Sequence, residues 1–181
     1  MQWDKESIKP SELPLPNHVI DRAKNSTLKD CVDIWYQSER KAENILSLLG
    51  RHSLSDRVSV VGIGQDNRLY FSKFGPDTWS TGITVIGKLV SDMPDKKFGL
   101  WAERSLAQDF HGDDPRILAC TVPIETDLGR FVIPYTALRF PCVNDNGETD
   151  RVVTVTRLEP SEYRTARQGA IGTSHPKLAG S

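Results

Sequence analysis

The chain has 181 residues, which is enough for one globular domain with additional segments but small for two. Hydrophobic residues make up 38% of the chain, charged residues make up 26%, and the formal net charge is −1. This composition excludes a largely disordered chain. The balanced charge also argues against general nucleic-acid binding, which requires a basic excess.

The first predicted elements are an arm and a long helix. Residues 1–25 are predicted to form a flexible arm because three prolines interrupt regular structure there. From about residue 28 to residue 49, apolar side chains recur every three or four positions, which predicts an amphipathic helix. Its apolar stripe includes Trp35, Ile45 and Leu49. The stripe has two candidate partners, the chain's own sheet or a second copy of the chain. In the second case these three residues form a dimer interface.

Two strands joined by a hairpin follow the helix. Residues 57–63 and 68–74 are rich in β-branched, aromatic and aliphatic side chains, and the polar segment between them suits a hairpin loop. Several glycines and Pro94 punctuate residues 75–95, which we interpret as short helical turns and loops. A helix from about residue 95 to residue 110 comes next, since apolar residues recur on one of its sides.

Three closely spaced strands complete the predicted elements. They cover residues 116–125, 130–141 and 151–158. The turn at 144–147 contains Asn-Gly, which is a strong hairpin signal. Pro134 lies inside the second of these strands and predicts a β-bulge, because proline has no N–H to donate to a neighbouring strand.

This order of elements predicts one domain of the α+β class. Strands linked by hairpins form an antiparallel sheet, and the helical insert between the second and third strands is placed to cover its apolar face. We assign residues 26–159 to this domain. Residues 160–181 are rich in Gly, Ser, Thr and Ala and are predicted to form a flexible tail.

Short sequence features occur along this domain in a characteristic order. They are a Trp-bearing helix at 33–36, a strand ending in glycine at 69–75, spaced glycines at 82–87 followed by Pro94, and Leu-Arg-Phe-Pro at 138–141. In this order the sequence resembles the PAS-like family common in alphaproteobacteria. The resemblance implies a PAS-like five-stranded antiparallel sheet with spatial order 2-1-5-4-3 and helices on one face. It also implies a role in sensing or protein interaction, but no particular activity.

A pocket between the sheet and the helices is the candidate ligand-binding site. The candidate ligand-binding residues are Phe98, Trp101, Tyr135, Thr136 and Arg139, with Phe140 as a further aromatic wall. A guanidinium group flanked by aromatic residues can pair with an acidic ligand. Two alternatives stay open: the core is close-packed without a pocket, or strand alternation turns Arg139 towards water.

The sequence contains no recognisable pattern for a metal site or a cofactor. Cys31, Cys120 and Cys142 lack the spacing of zinc or redox motifs, and we interpret them as reduced thiols in a cytoplasmic protein. The polar residues at 109–114 match no standard metal loop and are interpreted as a solvated helix end. No apolar run is long enough to span a bilayer, and the start lacks the apolar segment of a secretory signal. We therefore predict no metal, no cofactor and no membrane contact.

The resemblance to the PAS-like family and the absence of a catalytic motif predict a non-catalytic sensory or regulatory domain. It would bind a small molecule or a protein partner, and it would signal through dimerisation or through contact with that partner. We find no motif that pairs a nucleophile with a nearby histidine. The alternative is a small α+β enzyme whose acid–base groups are Glu103, Asp109 and His111.

Overall fold

One antiparallel sheet lies at the centre of the computed structural model, which describes residues 10–15, 26–76, 78, 85–126 and 129–158. Six strands lie within these ranges: β1 (Ser11–Leu15), β2 (Val58–Ile63), β3 (Leu69–Phe74), β4 (Arg116–Thr126), β5 (Gly129–Val143) and β6 (Thr149–Leu158). The α-helices in the same ranges are α1 (Ser26–Gln37), α2 (Ala42–Arg51) and α3 (Lys96–Asp109). None of these helices has the length and apolar composition needed to cross a bilayer. The predicted tail at 160–181 lies outside the described residues.

The strands follow the spatial order β1-β4-β5-β6-β2-β3, and each strand is antiparallel to its neighbours. The five strands predicted from the sequence are β2 to β6. Numbered one to five in chain order, they lie side by side in the order 2-1-5-4-3. The predicted count of five strands is wrong, because β1 adds a sixth strand beside β4. Residues 11–15, which we expected in a flexible arm, therefore belong to the sheet. Pro14 is compatible with this placement, since an edge strand needs ladder hydrogen bonds on one side only.

The limits of the later elements agree with the sequence analysis to within two residues. The Asn-Gly turn between β5 and β6 is confirmed: Gly147 has a φ of +81°, and the backbone N–H of Asn144 donates to the carbonyl of Glu148 at 2.9 Å. The bulge expected at Pro134 is absent from the regular β4–β5 register. Within the described residues, β5 pairs with β6 only from Tyr135 onwards, so Pro134 has no β6 partner that needs its missing N–H.

The predicted long helix is two helices, α1 and α2, joined by a sharp turn. Glu39 and Arg40 in this turn have left-handed backbone conformations, with φ of 54° and 61°. Contacts to the end of β5 hold the turn in place. The indole N–H of Trp35 donates to the carbonyl of Pro141 at 3.1 Å, and the N–H of Val143 donates to the carbonyl of Arg40 at 2.9 Å. The turn folds the apolar stripe of the two helices onto the sheet.

We expect Glu39→Gly to raise the free energy of unfolding by about 0.5–1 kcal/mol, because glycine adopts the left-handed region without the steric strain of a Cβ atom. Urea denaturation measures this difference. Glu39→Ala is the matched control, since it removes the same exposed side chain but keeps the Cβ atom. Equal stabilisation by alanine and glycine would contradict the backbone explanation.

Helices cover both faces of the sheet, because both faces are apolar. On β5, Tyr135 and Ala137 belong to the apolar cluster beneath α3, on the side that we call the front face. Leu138 and Phe140 belong to the cluster beneath α1 and α2, on the opposite side, the back face. We expected the covering helices on one face, and the structure instead divides them between two. The alternation of large apolar residues along β5 explains this arrangement, since each set has to be removed from water.

Candidate functional site

The position of α3 over the front face is set by its first turn. The side chain of Asp95 accepts a hydrogen bond from the backbone N–H of Phe98 at 3.0 Å and thereby caps the helix. One turn along, Gly99 packs against a short 3₁₀ turn at Val90–Asp92. A Cβ atom at Gly99 would lie 2.8 Å from the carbonyl oxygen of Val90, so the close approach of helix and turn requires glycine at this position.

A cavity of about 50 Å³ lies between α3 and the front face. Its apolar walls include Phe71, Phe74, Phe98, Trp101 and Ala102. Its polar wall carries hydroxyl groups and a guanidinium group, which belong to Ser59, Thr78, Thr154, Thr156 and Arg139. A cavity of this size holds a few water molecules or one very small organic group. Ordinary small-molecule sites occupy about 300–1,000 Å³, so this cavity is small for a ligand of that class.

Four of the five predicted ligand-binding residues line this cavity: Phe98, Trp101, Tyr135 and Arg139. Thr136 does not line it. Successive residues of a strand point to opposite faces, so Tyr135 and Arg139 share the front face while Thr136 points to the back. The same alternation places Phe140, the further aromatic residue, in the cluster beneath α1 and α2. Both of these assignments to the pocket are corrected.

Two buried polar atoms on residues of the cavity wall have no hydrogen-bond partner among the described residues. They are Nε of Arg139 and Oγ1 of Thr78. Arg139 is 3% exposed and Thr78 is 2% exposed. A buried polar group without a partner costs about 1–3 kcal/mol, so most buried polar groups in proteins form a hydrogen bond to another protein group or to ordered water. These atoms favour a polar occupant at this site.

Arg139 also belongs to a group of charged and polar residues at the end of the cavity, which we call the arginine–carboxylate cluster: Glu12, Ser105, Asp109, Arg116 and Arg139. Nη1 of Arg139 donates to Oδ2 of Asp109 at 2.9 Å and to Oγ of Ser105 at 2.6 Å. Nη1 of Arg116 donates to Oδ1 of Asp109 at 2.9 Å. The two arginines lie opposite each other in the β4–β5 register, and Asp109 of α3 bridges them. The carboxylate therefore separates two like charges that would otherwise repel.

Glu12 completes the cluster from the edge strand β1. Its carboxylate accepts a hydrogen bond from the hydroxyl of Ser105. Its oxygens lie 3.6 Å from Nη2 of Arg116 and 3.9 Å from Nη1 of Arg139, which are ion-pair distances rather than hydrogen bonds. The side chain of Glu12 is only 16% exposed. A residue from the predicted arm thus supplies the second carboxylate of a largely buried cluster.

Burial raises the pKa values of three side chains on or above the front face. Desolvation raises the pKa of Asp109, although the guanidinium groups of Arg139 and Arg116 act in the opposite direction. Desolvation likewise raises the pKa of the Cys120 thiol to about 11 and the pKa of its hydrogen-bond partner Tyr135 well above its usual value. Cys120 and Tyr135 therefore present neutral groups at physiological pH.

The residues predicted for a dimer interface lie inside the chain. Trp35, Ile45 and Leu49 are 3%, 0% and 0% exposed, and they pack in the apolar cluster on the back face. Of the two candidate partners for this stripe, the structure places it against the chain's own sheet. These three side chains are therefore not exposed for contact with a second copy.

The acid–base groups of the alternative enzyme are not brought together. Asp109 is buried and forms ion pairs with two arginines. Glu103 is half-buried, and His111 is exposed beyond the end of α3. None of the three lines the cavity. Within the described residues, no group of histidine, cysteine and carboxylate side chains is arranged to hold a metal ion.

Sequence reasoning missed most of the polar wall and most of the arginine–carboxylate cluster. Arg116 and Glu12 were not singled out. Asp109 was considered as an acid–base group and otherwise interpreted as part of a solvated helix end, which is wrong, because Asp109 is 1% exposed. One signal was available for Arg116. It precedes Leu118 and Cys120 at two-residue spacing on a strand, which places a cation on an apolar face where it needs a carboxylate partner. Glu12 gave no comparable signal, because its strand was not recognised.

Comparisons with known proteins do not assign a family. No protein-family model matches the chain, and no curated protein matches its sequence. One solved structure with some similarity is described as an RNA-binding light-oxygen-voltage receptor. The identity is 14% and the TM-score is 0.44, over 92% of this chain and 42% of the receptor chain. The chain thus spans less than half the length of that receptor. Similarity at this level carries no argument about function.

Proposed function

We propose that the chain is a PAS-like sensory or regulatory domain that binds a small polar molecule in the cavity beneath α3. The observation that carries this proposal is the pair of unpartnered buried atoms, Arg139 Nε and Thr78 Oγ1, on residues of the polar wall of a cavity whose other walls are apolar. Aromatic walls supply affinity for a small molecule, and a few fixed polar groups supply orientation and specificity.

The topology supports the PAS-like part of the proposal. Strands β2 to β6, numbered one to five in chain order, lie in the order 2-1-5-4-3. In the sequence, the helical insert with α3 lies between the second and third of these strands, and α3 covers the front face. The additional strand β1 and the pair of helices on the back face are departures from the expected pattern. Membership of the alphaproteobacterial family remains a prediction based on the sequence features.

The output is proposed to pass through a protein partner or a second copy of the chain. Ligand uptake in a cavity this small displaces α3 from the sheet or orders its contacts, and a partner that contacts α3 detects the change. Leu100, which is 51% exposed, lies on the outer side of this helix. Binding to nucleic acid is not part of the proposal, because the chain has no basic excess.

A matched pair of cavity variants tests ligand binding. Ala102 lines the cavity, whereas Ala107 lies on the same helix and does not. We expect a thermal-shift screen of small carboxylates, amides and alcohols to find compounds that stabilise the native chain and Ala107→Leu but not Ala102→Leu, in which the added side chain occupies the cavity. A compound at about 100 times its dissociation constant adds about 2.7 kcal/mol. Equal stabilisation of both variants, or no binding compound at all, would reject the cavity as the site.

A further inference from the structure

We infer that Ser105, Arg116 and Arg139 form a carboxylate-binding site, that Glu12 occupies it in the resting protein, and that a small carboxylate entering from the cavity displaces Glu12 together with β1. This inference rests on the proposed function for the route of entry, and it names both the class of ligand and the element that responds.

The resident side chain shows the chemistry of the site. The Glu12 carboxylate lies where a serine hydroxyl and two guanidinium groups converge, which is the donor set that recognises carboxylates. Glu12 uses that donor set incompletely. Its distances to Arg116 and Arg139 are 3.6 Å and 3.9 Å, and Nε of Arg139 has no partner among the described residues. A carboxylate that is free of the β1 backbone can approach both arginines at hydrogen-bond distance.

The charge of the cluster favours displacement over simple addition. Arg116 and Arg139 contribute two positive charges, and Asp109 and Glu12 contribute two negative charges when ionised. A further anion would leave an excess negative charge in a buried site, which is strongly unfavourable. Asp109 is held by both arginines at 2.9 Å, whereas Glu12 is not, so Glu12 is the carboxylate that leaves.

The element that carries Glu12 is suited to detach. β1 has five residues and, within the described residues, pairs with β4 alone. Pro14 donates no backbone hydrogen bond, and Leu13 is 63% exposed. Short edge strands of this kind lie at the low end of local stability in proteins. Arg139 lines the cavity and contacts Glu12, so it connects ligand uptake directly to the docking of β1.

Chemical rescue tests the carboxylate site. Glu12→Ala removes the resident carboxylate, and we expect a lower melting temperature that sodium acetate restores in a saturable manner at constant ionic strength. Acetamide, the neutral molecule of the same shape, should have no effect. Glu103→Ala is the matched control, since it removes a carboxylate outside the cluster and should not respond to acetate. If acetate stabilises Glu12→Ala no more than chloride or acetamide does, the site is overturned.

Hydrogen exchange on the native chain tests the displacement. Acetate is expected to increase the exchange rate of the β1 amides several-fold and to leave the β5–β6 amides unchanged. Unchanged or slower exchange in β1 at acetate concentrations that saturate Glu12→Ala overturns the displacement. The outcome is separable from the proposed function. One combination of results separates the two proposals. If acetate rescues Glu12→Ala, but no compound stabilises Ala107→Leu more than Ala102→Leu, the carboxylate site is supported and the cavity is rejected as the sensory site.

Discussion

Replacing Asp109 with asparagine is expected to lower the free energy of unfolding by about 3–5 kcal/mol. Asp109 is 1% exposed and lies 2.9 Å from a guanidinium nitrogen of Arg116 and 2.9 Å from one of Arg139. Asparagine keeps the shape of the side chain but removes its charge. The two arginines then face each other across β4 and β5, with Glu12 as the remaining carboxylate of the cluster. Urea denaturation followed by circular dichroism measures the loss.

Two further variants test whether the loss of stability comes from the buried ion pairs of Asp109. Asp114→Asn, in an exposed loop, should change the free energy of unfolding by less than about 0.5 kcal/mol. The double variant Asp109→Leu with Arg139→Met should recover much of the stability, because apolar side chains of similar volume leave one fewer buried charge without a partner. A loss below about 1 kcal/mol for Asp109→Asn, as in exposed ion pairs, would contradict the buried bridge.

A second large effect is expected at alkaline pH. Burial raises the pKa of Cys31 and Cys142 to about 12, and that of Cys120 to about 11, from an ordinary value of 9.0. As the pH rises above 9, these thiols ionise in the unfolded chain but stay protonated in the folded chain. The folded state then binds more protons, so its stability decreases with increasing pH. The three thiols together should lower the free energy of unfolding by about 4 kcal/mol at about pH 10 relative to neutral pH.

Urea denaturation in the presence of a reductant, at a series of pH values up to about 10, measures the slope of the free energy of unfolding against pH. Cys31→Ala removes one of the three thiols and should reduce the slope by about one third. Lysine and tyrosine side chains also begin to deprotonate near pH 10. The effect of the thiol is therefore measured as the difference between the native chain and Cys31→Ala in the pH dependence of the free energy of unfolding. A slope that the substitution leaves unchanged would contradict the burial of Cys31.

Elements with a strong local pattern were predicted well from the sequence. The alternating strands at 57–74 and 116–158, the Asn-Gly turn and the aromatic-rich helix α3 all carry their signal within a few residues. The features that were missed depend on distant contacts. The turn at Glu39 and Arg40 is stabilised by hydrogen bonds from and to the end of β5, and no glycine or proline marks it in the sequence. β1 likewise forms because β4 offers it a free edge.

The candidate site was predicted in part for the same reason. The sequence analysis chose Phe98 on α3 and Tyr135 and Arg139 on β5, and all three line the cavity from its two sides. The sequence analysis allowed Arg139 to face water, because an isolated arginine on a strand usually does. The decisive information is its buried partner Asp109, which is thirty positions away on α3. Pairing of buried charges between a helix and a sheet has no short-range signature in the sequence.

The position of β2 has a consequence for how the nascent chain folds. β2 lies inside the sheet, between β3, which follows it directly, and β6, which is the last of the described strands to leave the ribosome. Until β6 emerges, the inward edge of the β2–β3 hairpin displays unpaired peptide groups that any other strand can bind. The hairpin therefore joins the later strands only after β6 has left the ribosome. This late closure makes folding slow for the length of the chain and exposes the growing polypeptide to aggregation in the interval.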